Sequence, residues 1–76
     1  MEDIESLEFQ EQQLTKICAI LKAKRFALLF DSESTEEERS KRFRFLDAKI
    51  ETLETKINKV KSRISALVWA GHLRND

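Results

Sequence analysis

The sequence has almost none of the residues that turn a chain. It contains one Gly and no Pro among 76 residues, whereas a β-sheet protein needs turn residues about every ten positions. All-β and α/β folds are therefore excluded. Charged residues make up 37% of the chain and hydrophobic ones 41%, which helices tolerate. We predict one all-α domain over residues 1–76, with so small a core that a partner or a second copy is expected.

The presence of one cysteine and the absence of long apolar runs indicate in which cellular compartment the chain is expected. Cys18 is the only cysteine, so no intrachain disulfide can form and the chain fits a reducing compartment. Its place in an apolar helical row predicts a small core residue. No apolar run approaches the roughly 20 residues that span a bilayer, and residues 1–5 are acidic where a signal or transit peptide is basic. We therefore expect a soluble intracellular protein, or one exported by a route that leaves no classical signal.

The balance of charge and the scarcity of catalytic residue types narrow the function. Lys+Arg and Asp+Glu are both 14, and a net charge of zero disfavours nucleic-acid binding because phosphate contacts need a positive excess. There is no Tyr and no Gly-rich phosphate loop. The sole histidine, His72, has no second ligand or base nearby and is expected to be a solvated terminal residue. The sequence predicts no enzyme, no cofactor and no metal site.

The second half of the chain carries a continuous heptad pattern. Its apolar residues follow a 3-4 spacing through four heptads, as the a and d positions of a helical seam do. These residues are Phe43, Leu46, Ile50, Leu53, Ile57, Val60, Ile64 and Leu67. Thr35-x-x-Glu38 is a capping box, and Gly71 is placed to end the helix in a left-handed conformation. The pattern predicts a helix over about residues 35–70.

The first half predicts a second, less regular helix over about residues 3–30. Its apolar row consists of Leu7, Leu14, Leu21 and Leu28, reinforced by Ile4, Ile17, Cys18 and Leu29. Residues 31–34 alone have turn chemistry, so the two helices should form an antiparallel hairpin, with Phe26 and Phe30 packed near the turn. Charge order agrees, since antiparallel pairing places acids beside bases along the whole hairpin.

The predicted register leaves two apolar surfaces without a packing partner in the hairpin. A turn centred near residues 32–33 places Leu21 beside Leu46, Leu14 near Leu53 and Leu7 near Val60. The end of the second helix then lacks cover, which is typical of an interface. Opposite the seam runs an outer row of mostly small residues between two aromatics, Phe45, Ala48, Thr52, Thr55, Lys59, Ser62, Ala66 and Trp69. The alternative for this row is a solvated face. The predicted partner-binding residues are Phe45, Thr52, Ile64, Leu67, Val68 and Trp69.

A basic row follows the g positions of the second helix. It consists of Arg42, Lys49, Lys56 and Arg63. We expect these bases to pair with acids of the first helix such as Glu8 and Glu11. The alternative is that the row tracks a phosphate backbone, as in a Rop-like dimeric four-helix bundle that binds RNA.

Features along most of the chain resemble one small family. They are Ile4-Glu5-Ser6-Leu7-Glu8, the stretch from Leu21 to Leu28 with Lys24-Arg25, Phe45-Leu46, and Lys49-Ile50-Glu51-Thr52-Leu53-Glu54 with the aliphatic stretch that follows. This pattern is similar to that of the YscE-like co-chaperones of type III secretion needle subunits, which are short two-helix hairpins with an acidic start. In place of the Pro and Tyr often found near the turn in that family, this chain has Phe43 and Phe45.

The resemblance implies a specific role. Such a co-chaperone binds and stabilises a larger helical-repeat chaperone, and together they keep the needle subunit soluble in the bacterial cytoplasm. Two other hypotheses stay open beside it: the Rop-like RNA-binding homodimer, and a phage-type inhibitor or coiled-coil scaffold that occludes a site on another protein. All three describe a non-catalytic binding protein.

Overall fold

A computed structural model describes residues 3–74, with side chains up to residue 71. Two helices account for nearly all of it: α1 over Ile4–Leu28 and α2 over Glu36–Arg74. They pack against each other along their length as an antiparallel hairpin 61 Å long and 19 Å wide. The prediction of an all-α helical hairpin is confirmed. The side chain of His72 lies outside the described residues.

The helix starts are fixed by side-chain caps. Asp3 Oδ1 accepts a hydrogen bond of 2.7 Å from the amide of Ser6, and Thr35 Oγ1 accepts one of 3.2 Å from the amide of Glu38. Both satisfy amides that have no carbonyl partner in the first turn. The predicted stop at Gly71 is wrong, because α2 continues to Arg74 and no described glycine has a positive φ. A glycine inside a helix costs only about 1 kcal/mol relative to alanine, so it does not force an end.

The first helix has as regular a seam as the second. Its residues that are buried or half-buried repeat with the 3-4 spacing and comprise Ile4, Leu7, Glu11, Leu14, Cys18, Leu21, Arg25 and Leu28. Two of these a and d positions hold the charged residues Glu11 and Arg25. For this reason the heptad pattern of α1 is not evident from its apolar residues alone. By contrast Ile17 and Leu29, expected in this seam, are 47% and 60% exposed, because each lies one position away from it.

The core is narrow and lies between the two seams. Cys18 is only 4% exposed, as predicted, and forms a cluster with Ile50 and Ile57. Three leucines pack against this cluster, Leu14, Leu21 and Leu53. Leu7 is completely buried. Burial of this kind gives roughly 25 cal/mol per Å² of apolar surface, so these few residues carry most of the stability of the hairpin.

The register of the hairpin differs from the prediction. In an antiparallel hairpin, the two residue numbers of each facing pair add to a nearly constant sum, which defines the register. The interhelix ion pairs Lys22–Glu54 and Arg25–Asp47 give sums of 76 and 72. The predicted register gives 67. Extending this register places Leu7 opposite the region around residue 67. In the predicted uncovered end of α2, Leu67, Val68 and Trp69 are 38%, 53% and 62% exposed. Ile64, one of its residues, is half-buried.

The path of the connecting loop explains the shift. The chain does not reverse directly after Leu28, because the amides of residues 29–31 still donate to the carbonyls three residues earlier. Asp31 caps this loop, accepting hydrogen bonds from the Ser34 hydroxyl at 2.6 Å and from the Glu33 amide at 3.1 Å. The Asp31 carboxylate also accepts a hydrogen bond from the Ser34 amide at 3.3 Å, and Arg42 Nη1 lies 3.5 Å from Asp31 Oδ2. The loop thus occupies the space beside the start of α2 that a tight turn would have left to α1.

Candidate functional site

The two long edges of the hairpin differ in chemistry. One edge, which we call the ion-pair flank, contains the e positions of both helices. Here Arg25 lies 2.8 Å from Asp47 and Lys22 lies 3.1 Å from Glu54, and further along Lys61 approaches the Glu11 carboxylate at 4.0 Å. The acid-beside-base order predicted for antiparallel helices is found here. Each such half-exposed pair contributes only tenths of a kcal/mol, so the pairs select the orientation.

The opposite edge is an apolar groove. Its main cavity has a volume of about 450 Å³ and is lined by Ile17, Leu21, Phe45, Ala48, Lys49, Thr52 and Leu53. A second cavity of about 380 Å³ continues it toward the loop and is lined by Lys24, Leu28, Lys41, Arg42, Phe45 and Leu46. Phe45 belongs to both cavities. We call this continuous surface the groove, and its volume is that of a typical ligand or side-chain binding site.

Phe45 stands at the centre of the groove and is held from one side only. Its ring is 60% exposed, and the Nζ of Lys49 lies 4.6 Å from the ring centroid. This cation–π contact orients the ring without covering it. An exposed aromatic with a fixed orientation is typical of the residues that carry binding energy in interfaces.

The basic row of α2 borders this same edge, and its expected pairing with Glu8 and Glu11 is wrong for the latter. The Glu11 carboxylate reaches Lys61 on the ion-pair flank. The facing g positions of α1 hold Gln10, Ile17 and Lys24, none of them acidic. Within α1 as described, the g positions therefore offer no carboxylate to Lys49 and Lys56, whereas Arg42 pairs with Asp31 of the loop at 3.5 Å.

The outer row of α2 is exposed along its whole length, and its first three members also line the groove. All eight of its predicted members are exposed, including Phe45 and Trp69 at its ends. The hydroxyl groups of Thr52 and Thr55 donate to the carbonyls of Ala48 and Glu51, each at 3.0 Å. The hydroxyl groups of these threonines therefore have partners within α2 itself.

The six predicted partner-binding residues divide into two separate groups. Phe45 and Thr52 line the groove together. The other four lie more than two turns further along α2 and comprise the half-buried Ile64, the 38% exposed Leu67 and the more exposed Val68 and Trp69. Since a helix rises about 1.5 Å per residue, Trp69 is about 36 Å from Phe45. The structure does not bring the six residues to one site.

Sequence reasoning missed what α1 contributes to the groove. Ile17 and Leu21 form its opposite wall, although both were expected in the seam alone. The available signal was the spacing of Ile17 from the apolar row, which places it at a g position beside Lys24. A second exposed apolar site lies near the loop, where Phe26 and Phe30 pack edge to face with centroids 5.2 Å apart. As expected these two rings pack near the turn, yet they stay 61% and 73% exposed.

Reactive chemistry is sparse in the part of the chain that the structure describes. No group of three or more potential metal ligands is found among those residues. None of the helices described is long and apolar enough to cross a bilayer. The Cys18 thiol is buried in the core. Comparison of the chain with models of protein families, with curated proteins and with solved structures gave no match.

Proposed function

We propose that this chain is a non-catalytic protein-interaction subunit that contributes a helical hairpin to a larger assembly. The observation that carries the proposal is the amount of apolar surface left in water. Among the described residues, six hydrophobic side chains are buried, whereas a larger set of big hydrophobic side chains is at least 38% exposed. The exposed set is Phe9, Ile17, Ile20, Phe26, Leu29, Phe30, Phe45, Leu67, Val68 and Trp69.

The free-energy cost of leaving apolar surface in contact with water supports this proposal. Extended apolar patches on a small chain favour association because burying them removes their surface from water. A partner that covers such a surface also stabilises the hairpin by mass action, since it binds the folded form alone. The narrow core between the seams gives the hairpin little stability of its own, so both gains apply to it.

The more specific proposal is a co-chaperone role in type III secretion. The pattern shared with the YscE-like hairpins supports it, together with the exposed apolar surface that such a subunit needs. In this role the chain binds a helical-repeat chaperone in the bacterial cytoplasm, and the pair keeps the needle subunit soluble. Partner-binding residues in this proposal are Phe45, Thr52, Ile64, Leu67, Val68 and Trp69.

The experiment is reconstitution of the purified chain with a helical-repeat chaperone encoded in the same genome. Light scattering after gel filtration should give the mass of a 1:1 complex. Phe45→Ala and Trp69→Ala should weaken complex formation at least fivefold while circular dichroism at 222 nm stays unchanged. The matched control is Gln12→Ala on the exposed side of α1, which should leave binding unchanged.

A specific observation favours a second candidate, the Rop-like RNA-binding dimer. Among the described residues, α1 has no acid at the g positions that face Lys49 and Lys56 of the basic row. A dimer with a mass near twice the 8.9 kDa of one chain that binds RNA with a steep salt dependence would establish this candidate and contradict the co-chaperone proposal. Changing the row to Gln at Arg42, Lys49, Lys56 and Arg63 should then abolish the RNA binding.

A further inference from the structure

We propose that the groove binds one amphipathic helix of the partner protein, with an apolar stripe flanked by Asp and Glu. This inference rests on the proposed function and states the chemistry of the partner. The occupant is identified by three properties of the groove: its apolar floor, its length, and the sign of the charge along its rim.

The floor of the groove suits the side chains of a helix. Ile17 and Leu21 form one wall, Phe45 and Leu53 the other, and Ala48 leaves space between them. Along α1 the two cavities extend from residue 17 to residue 28, which is about 17 Å or three helical turns. A helix lying in this groove would insert side chains at spacings of three, four and seven residues, as helices in grooves do.

The rim of the groove is basic although the chain as a whole is neutral. Four bases line the two cavities, Lys24, Lys41, Arg42 and Lys49. Two of them have local acidic partners, Glu37 at 3.8 Å from Lys41 and Asp31 at 3.5 Å from Arg42. Among the described residues, none of those that line the two cavities is acidic. The acids of the hairpin's midsection, such as Asp47 and Glu54, are engaged on the ion-pair flank.

The same charge distribution disfavours a second copy of this chain as the occupant. In a symmetric dimer the same surface faces itself, so a contact through the groove would bring the Lys24 and Lys49 side chains of both copies together. Like charges facing each other across an interface cost free energy and slow association. An acidic flank on the occupant removes this repulsion and places a carboxylate near each base.

The apolar floor also distinguishes a helix from a phosphate backbone. Phosphate binding needs bases on an accessible surface but no hydrophobic cavity. Here the exposed Phe45 ring lies between the bases, where a helix side chain would cover it. An acidic amphipathic helix uses both the floor and the rim.

The test is fluorescence anisotropy with a labelled 18-residue peptide added to the full-length chain. This acidic peptide has Leu at the spacings of one helix face and Glu on both sides of that face. A second peptide with Lys in place of Glu is its control. The acidic peptide should bind saturably, at least tenfold more tightly than the basic one.

Variants of the chain identify the surface that binds. The double variant Lys24→Glu and Lys49→Glu should weaken binding of the acidic peptide at least tenfold and reverse the preference between the two peptides. Phe45→Ala should weaken both peptides. Lys16→Glu makes the same kind of charge change on the exposed side of α1 and should have little effect. Circular dichroism of each variant checks that the hairpin is folded.

Each contrary result overturns the inference in a distinguishable way. No saturable binding up to about 1 mM of the acidic peptide, equal binding of both peptides, or insensitivity to the double variant rejects the acidic helix. If the chaperone complex of the previous section still forms, the proposed function stands and only this occupant is wrong. A dimer that the double variant dissociates would instead identify a second copy in the groove.

Discussion

The division between seam and groove makes a quantitative prediction for Ile50→Ala and Phe45→Ala. Ile50 is 4% exposed and belongs to the core cluster. Truncation removes three carbons, worth about 0.8 kcal/mol each when buried, and leaves a cavity, so we expect a loss of about 2–5 kcal/mol. A chain of this length has a total free energy of unfolding of about 4–11 kcal/mol. Ile50→Ala should therefore lose a large part of its free energy of unfolding, and it should unfold only if the total lies near the lower end of this range.

Phe45→Ala should cost far less. Since the ring is 60% exposed, truncation loses under half of the roughly 1.5–3 kcal/mol that full burial provides. Loss of the contact with Lys49 adds about 0.5 kcal/mol, and the better helix propensity of Ala offsets a similar amount. We expect a net loss of about 1 kcal/mol. Partner binding, by contrast, should fall strongly.

The assay is urea unfolding followed by circular dichroism at 222 nm, at one protein concentration for all variants. The free energy of unfolding in water follows from linear extrapolation. If Phe45→Ala lowers it as much as Ile50→Ala does, then Phe45 is a core residue and the groove is not a free surface. If Ile50→Ala lowers it by under 1 kcal/mol, the seam between the helices does not hold the hairpin together.

Two further predictions concern α2 and the loop. Arg39→Leu should raise the free energy of unfolding by about 1 kcal/mol, because the buried Arg39 Nε has no hydrogen-bond partner among the described residues; thermal unfolding checks this with a rise in Tm, and a fall in Tm would show that the guanidinium stabilises the hairpin. The pKa of Asp31 lies below its ordinary value of 3.8 because the Ser34 hydroxyl and the Glu33 amide donate to the carboxylate. Its stabilising contribution is therefore present above pH 3.8 and lost as the pH falls through the lowered pKa. The Tm of Asp31→Asn should be below that of the unchanged chain at pH 7, and this difference should shrink as the pH is lowered below 3.8; a difference that stays constant with pH would contradict this.

The second helix could be predicted from sequence because its seam is uninterrupted. From Phe43 to Leu67 every a and d position is apolar, and a period of 3.5 over four heptads fits one structure only. The first helix was predicted to be irregular for an equally physical reason. Glu11 and Arg25 occupy seam positions, yet their aliphatic stems cover the seam while their charged ends reach Lys61 and Asp47. A search for apolar residues at the heptad spacing does not detect such charged side chains in a seam.

The register and the helix end depended on contacts that local pattern does not contain. Turn chemistry located the loop at residues 31–34, but the direction in which the loop leaves α1 depends on the contacts of Asp31 with Ser34 and Arg42. That direction shifts every facing pair by one to two helical turns. Gly71 was expected to end α2 from its identity alone, whereas the chain continues as a helix because one glycine costs too little to stop it.

Only the part of the candidate site that α2 contributes could be predicted from the sequence. The exposed outer row and Phe45 follow from periodicity on α2, since the side opposite a seam faces water. The groove needs a wall from each helix, and Ile17 was assigned to the core.

The sequence by itself determined the fold class, the two helices and their antiparallel order. These follow from the scarcity of Gly and Pro, the heptad spacing and the order of charges, which are properties of the chain read in one dimension. Tertiary structure alone decided the register, the burial of charged seam residues and the presence of one apolar groove with a basic rim. The reason is that each depends on which residues of α1 face which residues of α2, and that pairing is set by the packing of the two seams and by the path of the loop.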